Sequence, residues 1–197
     1  VGGNGIYSKT GVEISGAEVT ANGFYGISTG GGVTISGGAD VDITGAKIYG
    51  IMATGGSVCI EDDGTKVDAE LKTYNGIGIF GLKDIRISGA EVKASGNYGI
   101  SANTGVTISS GAQVKATGAG ESGLFGGYSG DIIIQGEGTE VTVAGGENGG
   151  GLQAPASITV KDGAKVTATG KQYGIMAMGT LTVTGGEVIA DGTPNGQ

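Results

Sequence analysis

Acidic side chains whose spacing suits carbohydrate chemistry occur in the first half of the chain. Asp40 and Asp42 are two residues apart among alternating apolar residues, so on a strand both project from one face, ~6.5 to 7 Å apart. Asp68 holds the equivalent place one repeat later, which would stack it ~5 Å from Asp42. These separations overlap with the carboxylate pairs of inverting and retaining glycosidases, respectively. The chain contains no histidine, however, and the whole constellation predicts a protein that is not an enzyme.

The same region offers oxygen ligands for a hard cation, and calcium, which takes about six to eight oxygens, is the one cofactor that we consider. The candidate ligands are Asp40, Asp42, Asp68, Asp62 and Asp63. The alternative is a ladder of ion pairs between stacked strands. In that case Asp40, Lys66 and Glu91 share one column, and Asp42, Asp68, Lys93 and Lys115 share another. Because Lys66 stands where a metal site needs another acid, we favour the ion pairs.

Aromatic side chains recur at one position of a repeating pattern. Tyrosine precedes a Gly-Ile dipeptide four times, Tyr74 is displaced by one residue, and Tyr7, Met52, Phe125 and Met176 follow on the outward side of the same strands. A row of flat aromatic faces can stack on sugar rings, with neighbouring polar groups supplying hydrogen bonds. Alternatively, the tyrosines only cover a corner of the core. The candidate ligand-binding residues are Tyr25, Tyr49, Tyr98, Tyr173, Phe125 and Tyr128.

The elements that must position these side chains are short strands in eight copies of one pattern. A Gly-Ile or Gly-Leu start recurs every 21 to 28 residues, at Gly5, Gly26, Gly50, Gly76, Gly99, Gly123, Gly151 and Gly174. Each copy contains three strand signals with apolar residues at alternate positions, and no segment has the period of an amphipathic helix. Three strands in about 24 residues predict one coil of a parallel β-helix with three faces.

Alternation within the copies identifies the predicted core. The first strand stacks Ile6, Ile27, Ile51, Ile77, Ile100, Leu124, Leu152 and Ile175. The second strand contributes a pair of aliphatic residues in each copy, from Val12 and Ile14 to Leu181 and Val183. The third strand contributes Val19, Val41, Val67, Val92, Val114, Val141, Val166 and Val188. The longest copy, 123 to 151, carries insertions that we expect to form surface loops.

Charge and composition exclude several classes of partner. A formal net charge of −8 argues against nucleic acid and against an anionic membrane surface, since both attract basic proteins. No apolar run approaches the ~18 residues of a spanning helix, and the lone Cys59 allows no internal disulfide. Because no cap for the sheet edges is evident, we expect 1–197 to be one β-helix domain of a longer protein, with flanking domains or further copies stacked on its ends.

The strings Gly-Ile-Ser, Val-Thr-Ile-Ser-Gly and Glu-Val-Lys-Ala resemble those of right-handed parallel β-helices of the pectin-lyase-like superfamily. They are most similar to Gly-rich exported bacterial proteins described as carbohydrate-binding. For hydrolases of that superfamily the resemblance implies outward aspartates with a helper histidine, which is absent. For lyases it implies calcium held by carboxylates and an arginine base, but Arg86 is the only arginine and has no acidic cluster in its column.

The sequence therefore predicts an all-β, single-stack right-handed parallel β-helix of about eight coils. We expect a non-catalytic module, secreted or on a bacterial cell surface, that binds polysaccharide or another surface ligand. A structural stalk or adhesin spacer without a small ligand is the first alternative, and a polysaccharide lyase or hydrolase is the second.

Overall fold

The chain forms a parallel β-solenoid in the computed structural model, which describes residues 3–73 and 75–192. Its 24 strands form three parallel sheets of eight strands, and every coil contributes one strand to each sheet. The described part of the chain is all-β, and it includes no helix long and apolar enough to cross a membrane. The predicted architecture of about eight coils with three strands each is confirmed.

Strands are numbered along the chain. Sheet 1 consists of β1 (Asn4–Ser8), β4 (Tyr25–Thr29), β7 (Tyr49–Ala53), β10 (Ile77–Gly81), β13 (Tyr98–Ala102), β16 (Leu124–Phe125), β19 (Gly150–Ala154) and β22 (Tyr173–Ala177). Sheet 2 consists of β2 (Gly11–Ser15), β5 (Gly32–Ser36), β8 (Val58–Glu61), β11 (Ile85–Ser88), β14 (Gly105–Ser109), β17 (Asp131–Gln135), β20 (Ile158–Lys161) and β23 (Leu181–Thr184). Sheet 3 consists of β3 (Glu18–Asn22), β6 (Asp40–Thr44), β9 (Lys66–Glu70), β12 (Glu91–Gly96), β15 (Gln113–Gly118), β18 (Glu140–Ala144), β21 (Lys165–Gly170) and β24 (Glu187–Gly192).

The core is a continuous stack of the predicted aliphatic columns. Ile35, Ile60 and Ile108, from three different coils of sheet 2, are all fully buried. Each such side chain contributes roughly 1.5 to 3 kcal/mol on burial. In the last coil, by contrast, Leu181 and Val183 are 46% and 45% exposed, because no described coil covers them. Burial therefore depends on stacking between coils, as expected of a solenoid.

The fourth coil departs from the predicted first-strand column. Ile79, not Ile77, pairs with Ile51 and Ile100 and is fully buried, while Ile77 lies half-buried between Tyr49 and Tyr98. The prediction that Ile77 belongs to this column is wrong by two residues. The sequence contains Gly-Ile twice in succession, at 76–77 and 78–79. Side chains two residues apart on a strand point to the same side. The pattern alone therefore could not choose between the two registers.

Glycine before the first-strand isoleucine allows a close approach between sheets. A Cβ built on Gly26 would collide with the Ile43 side chain of sheet 3, and one built on Gly50 would press on Ala69 and on Leu71. The Tyr-Gly-Ile of these two coils therefore combines a half-buried aromatic ring with a backbone that must touch the core.

The corner between sheets 2 and 3 repeats its length after three coils within the first six coils, and the last two coils, with three and two corner residues, do not continue this pattern. It reads Gly-Ala in the first and fourth coils, three residues ending in Ala in the second and fifth, and four ending in Gly-Thr in the third and sixth. The two threonines, Thr65 and Thr139, are fully buried. Thr65 Oγ1 accepts a hydrogen bond from the Gly38 amide at 3.1 Å, and Thr139 Oγ1 accepts one from the Gly111 amide at 3.0 Å. Each long corner is thereby fastened to the shorter corner of the preceding coil.

Candidate functional site

The outward surface of sheet 1 is chemically distinct from the other two faces. None of its eight described strands contains an aspartate, glutamate, lysine or arginine. Every strand of sheet 3 contains at least one such residue, and so do five of the eight strands of sheet 2. One of its outward columns contains, in order of coils, Tyr7, Ser28, Met52, Phe80, Ser101, Phe125, Gln153 and Met176. An uncharged surface of aromatic, thioether and hydroxyl groups suits an uncharged ligand.

The predicted column of tyrosines is continuous in the second and third coils. Tyr25 lies opposite Tyr49, and Ile77 follows between Tyr49 and Tyr98. Tyr173 pairs with Gly150 and is 46% exposed, three coils above Tyr98. The predicted ladder is therefore interrupted, and Tyr74 lies outside the described residues.

The lower aromatic cluster consists of Phe24, Tyr25, Tyr49 and Phe80. The rings of Tyr25 and Tyr49 are stacked, with centroids 6.0 Å apart and 13° between their planes. Phe24 packs edge-on against Tyr25 at 5.9 Å, and Phe80 lies 5.4 Å from Tyr49 at a tilt of 44°. Burial, and secondarily Tyr25, raise the pKa of the Tyr49 phenol. These rings pack against one another, as expected of aromatic side chains that have a structural role.

The upper aromatic cluster consists of Tyr98, Phe125 and Tyr128. Phe125 lies 5.5 Å from Tyr98 at a tilt of 33°, and Tyr128 stands edge-on to Phe125 at 6.2 Å and 87°. Tyr128 is 86% exposed, so its ring is open to solvent on the outside of the molecule. It belongs to the loop 126–130, which confirms that this insertion of the long coil lies on the surface.

The position of Tyr128 follows from Gly127, which has a φ of +85°. A Cβ at Gly127 would collide with the carbonyl oxygen of Ala102, so the loop can rest on the neighbouring coil only with glycine there. The loop backbone is thus pressed onto the solenoid, while the tyrosine ring stands away from it.

A shallow groove of about 140 Å³ separates Phe80 from the upper cluster. Its lining is uncharged and comprises Ile77, Phe80, Tyr98, Ser101, Ala102, Asn103, Phe125, Gly127 and Tyr128. Within the described residues, the Ser101 hydroxyl and the Asn103 side chain form no hydrogen bond to the protein; Asn103 is half-buried and Ser101 is only 7% exposed, so Asn103 is the more accessible of the two to a ligand. The volume is well below the ~300 to 1,000 Å³ of enclosing ligand pockets. The groove can therefore receive one face or edge of a ligand but cannot surround it.

Polar groups lie near Tyr98, in and beside the corners between sheets 3 and 1, outside the lining of the groove itself. The Glu121 amide donates to the carbonyl oxygen of Asn97 at 3.0 Å, which places Glu121 beside Tyr98. Burial first, and then the charge of Glu121, raise the pKa of Tyr98 to about 12. Further along, the Ser122 hydroxyl donates to Oε1 of Gln153 at 2.5 Å. Tyr98 is therefore a neutral phenol at ordinary pH, next to a carboxylate.

Sequence reasoning missed Phe80, Asn103 and Glu121. Phe80 was hidden by the register error in its coil, because starting that coil at Gly78 places Phe80 in the column of Met52 and Ser101. Asn103 and Glu121 lie in corners, where no periodic signal exists. The second Gly-Ile of this coil is the one signal from which Phe80 could have been found.

The structure separates the proposed calcium ligands into two places. Asp42 and Asp68 are paired neighbours in adjacent strands of sheet 3, as predicted, while Asp40 pairs with Lys66. Asp62 lies in the corner with a φ of +76°, and its Oδ2 accepts a hydrogen bond from the Gly37 amide at 2.9 Å; Asp63 is the next residue. Among residues 3–73 and 75–192, no group of three or more Asp, Glu, His or Cys side chains is arranged to hold a metal ion.

The predicted register of the alternative, an ion-pair ladder, is confirmed, but the predicted ion pairs do not form between the described stacked strands. Lys66 lies between Asp40 and Glu91, and Lys93 lies between Asp68 and Lys115. Across these described strands, however, the one pair within 4.0 Å is Lys93 with Glu91 of the same strand, at 3.2 Å, and both side chains are about half exposed. The charges of this face are solvated, and each pair contributes little to stability.

Cys59 and Arg86 are neighbours on sheet 2 and have structural partners. Arg86 Nη2 lies 2.5 Å from Asp84 Oδ2, and the Ser57 hydroxyl donates to Asp84 Oδ1 at 2.6 Å. The hydrogen bond from Ser57 lowers the pKa of Asp84. Burial raises the pKa of the Cys59 thiol, so this cysteine is not an activated nucleophile.

The larger concavities lie on charged surfaces. One of about 540 Å³ is lined by the corners of the sixth and seventh coils, including Glu137, Glu140, Asp162 and Lys165. Another, of about 450 Å³, includes Asp42 and Asp68 together with Lys47. We favour the smaller groove as the candidate site because it alone combines an exposed aromatic face with polar groups that lack partners in the described residues.

Comparison of the chain with protein-family models, with curated proteins and with solved structures found no match. The function is therefore inferred from the chemistry of the surface.

Proposed function

We propose that this β-solenoid is a non-catalytic module of an exported or cell-surface protein, and that it binds a polysaccharide through the groove between Phe80 and Tyr128. The observation that carries the proposal is the exposed ring of Tyr128, 86% accessible and held edge-on to Phe125 above an uncharged groove. We propose further that the solenoid is a right-handed β-helix similar to those of the pectin-lyase-like superfamily and of bacterial carbohydrate-binding proteins.

Sugar recognition at such a site would combine stacking and hydrogen bonding. The apolar face of a pyranose ring would lie on Tyr128, while its hydroxyls would bond Ser101 and Asn103 at the edge of the groove. Neighbouring coils repeat at ~4.8 Å, so successive sugars of a chain aligned with the solenoid would meet successive coils. A groove that contacts only one side of its ligand suits the interior of a long chain.

The second candidate is a structural stalk without a small ligand. The specific observation in its favour is the lower cluster, where Tyr25 and Tyr49 stack on one another and each covers part of the face of the other. In that reading Tyr128 is an isolated exposed aromatic, which needs no further explanation.

An array of plant, host and microbial polysaccharides, probed with the purified chain, tests the proposal. We expect selective binding that Tyr128→Ala weakens about tenfold or more, the equivalent of ~1.4 kcal/mol. Tyr7→Ala is the matched control, since Tyr7 is 65% exposed on the same sheet but lies in the first coil. Silence across the array, or equal loss in both variants, would contradict the proposed groove and leave the stalk.

The same array, repeated with calcium and with a chelator, tests the calcium site. Loss of binding in chelator that Asp42→Asn and Asp68→Asn reproduce would move the ligand to sheet 3. Binding that is insensitive to chelator would leave the groove on sheet 1 as the site and remove calcium from the account.

A further inference from the structure

We infer that the groove selects neutral polysaccharides over uronic acid polymers, and that Glu121 is a specificity-determining residue. This inference rests on the proposed function. It names the class of polysaccharide that the surface can accept.

The lining of the groove provides no positive charge for an anionic sugar. All nine lining residues are uncharged, and the described strands of sheet 1 carry no lysine or arginine. Recognition of carboxylates relies on charged donors, above all the two-pronged arginine contact. The one arginine, Arg86, lies on sheet 2 and is paired with Asp84.

Glu121 adds a repulsive element at the border of the groove. Two backbone contacts fix its place: its amide donates to the Asn97 carbonyl at 3.0 Å, and its carbonyl accepts from the Gly146 amide at 2.8 Å. Asn97 directly precedes Tyr98, so the backbone of Glu121 is held beside the strand that provides Tyr98 to the lining of the groove. The pKa of Tyr98, which the charge of Glu121 raises, is a second sign of this proximity.

Charge in the rest of the molecule acts in the same direction. The chain has a net charge of −8, so a polyanion meets repulsion at long range as well as at the groove. Specificity of this kind arises from an unfavourable contact with the wrong ligand, in addition to favourable contacts with the right one. A neutral chain, in contrast, offers hydroxyl donors and acceptors that Ser101 and Asn103 can bond.

Matched ligands separate this inference from the proposed function. Affinity electrophoresis compares four ligands: a neutral β-glucan, a neutral α-glucan, and the C6-oxidised form of each. The oxidised forms keep the same backbone but carry carboxylates. We expect a neutral glucan to bind about tenfold or more tightly than its oxidised form at low salt, with the ratio narrowing as salt screens the charges. Equal or tighter binding of the oxidised form would overturn the inference and leave the proposed function standing.

Two variants test the role of Glu121. Glu121→Gln should raise affinity for the oxidised glucan and leave affinity for the neutral one within about twofold, because the amide keeps the shape of the side chain and removes its charge. Glu13→Gln, on sheet 2, removes the same charge far from the groove. It should change the affinity for either glucan only by the small effect of one distant, screened charge. Equal effects of the two variants would contradict a specific role for Glu121, and absence of binding by all four glucans would overturn the proposed function together with this inference.

Discussion

The rings of Tyr25 and Tyr49 lie nearly parallel, with 6.0 Å between their centroids. Each ring therefore covers part of the face of the other, and Phe24 and Phe80 close the ends of the group. The lower cluster acts as packing between coils. The upper cluster, which ends in an exposed ring at Tyr128, has a surface left for a ligand.

Removing one ring of the stacked pair should therefore affect stability. Tyr49→Ala should lower the free energy of unfolding by about 2 kcal/mol or more, because it removes the contacts of a half-buried aromatic ring to both Tyr25 and Phe80. Tyr128→Ala should change it by less than about 0.5 kcal/mol, since that ring is exposed. Urea unfolding measures both, and equal losses would contradict the assigned roles.

The register of the fourth coil predicts unequal effects for two isoleucines. Ile79→Ala should cost about 2 to 5 kcal/mol, because the side chain is fully buried between Ile51 and Ile100. Ile77→Ala should cost about 1 kcal/mol or less, since Ile77 is half-buried beside the tyrosines. A larger loss for Ile77→Ala would show that the coil starts at Gly76 after all.

The buried corner threonine should be sensitive to loss of its hydroxyl. Thr139→Val keeps the shape of the side chain but leaves the Gly111 amide and the Gln135 carbonyl without their partner, at a cost of about 1 to 3 kcal/mol. Thr107→Val on the outward face of sheet 2 is the control and should stay within about 0.5 kcal/mol. Similar values for the two variants would mean that the cross-coil hydrogen bond contributes nothing.

Tyr98 predicts a dependence of stability on alkaline pH. Its pKa in the folded chain is about 12, against an ordinary value of 10.0, so the folded state holds the proton more tightly than the unfolded state. The resulting stabilisation is present in full below pH 10 and is lost as the pH rises through 12. The stability difference between the wild-type chain and Tyr98→Phe should therefore fall across that window. A difference that is constant with pH would contradict the environment described for Tyr98.

The dependence of stability on acidic pH is governed in part by Asp84. Its pKa is lowered, chiefly by the hydrogen bond from Ser57, so the ionised form stabilises the fold above its ordinary value of 3.8 and loses that effect as the pH falls through the lowered pKa. Ser57→Ala should cost about 1 kcal/mol at neutral pH, and the difference from wild type should shrink in acid. Asp84→Asn should remove this pH dependence, and its persistence in that variant would assign it to another group.

The sequence was sufficient for the architecture because the same residue types recur in every coil. An aliphatic residue recurs at the same position of each repeat, as at Ile35, Ile60 and Ile108, so one repeat that departs from the pattern does not change the predicted architecture. Register failed only where Gly-Ile occurs twice in succession, around Ile77 and Ile79. There, both choices place isoleucine on the same side of the strand.

The candidate site was only partly predictable, because its members come from corners as well as strands. Periodicity indicated Tyr98 and Phe125, and the long insertion indicated Tyr128. It could not show that Tyr25 and Tyr49 stack on each other, since ring orientation depends on side-chain torsions and neighbours. Glu121 is placed beside Tyr98 by a backbone hydrogen bond to Asn97 of the preceding coil, and no one-dimensional pattern encodes that contact.

The central claim is that ligand binds at the Tyr128 groove, and tyrosine ring resonances report on it directly. The chain has seven tyrosines, so selective labelling gives few signals, and Tyr→Phe variants assign them. On titration with the glycan that binds best in the array, we expect shifts for the ring signals of Tyr128 and Tyr98 and no shift for those of Tyr25 and Tyr49. Saturable binding that moves the signals of Tyr25 and Tyr49, or no tyrosine signal at all, would contradict it.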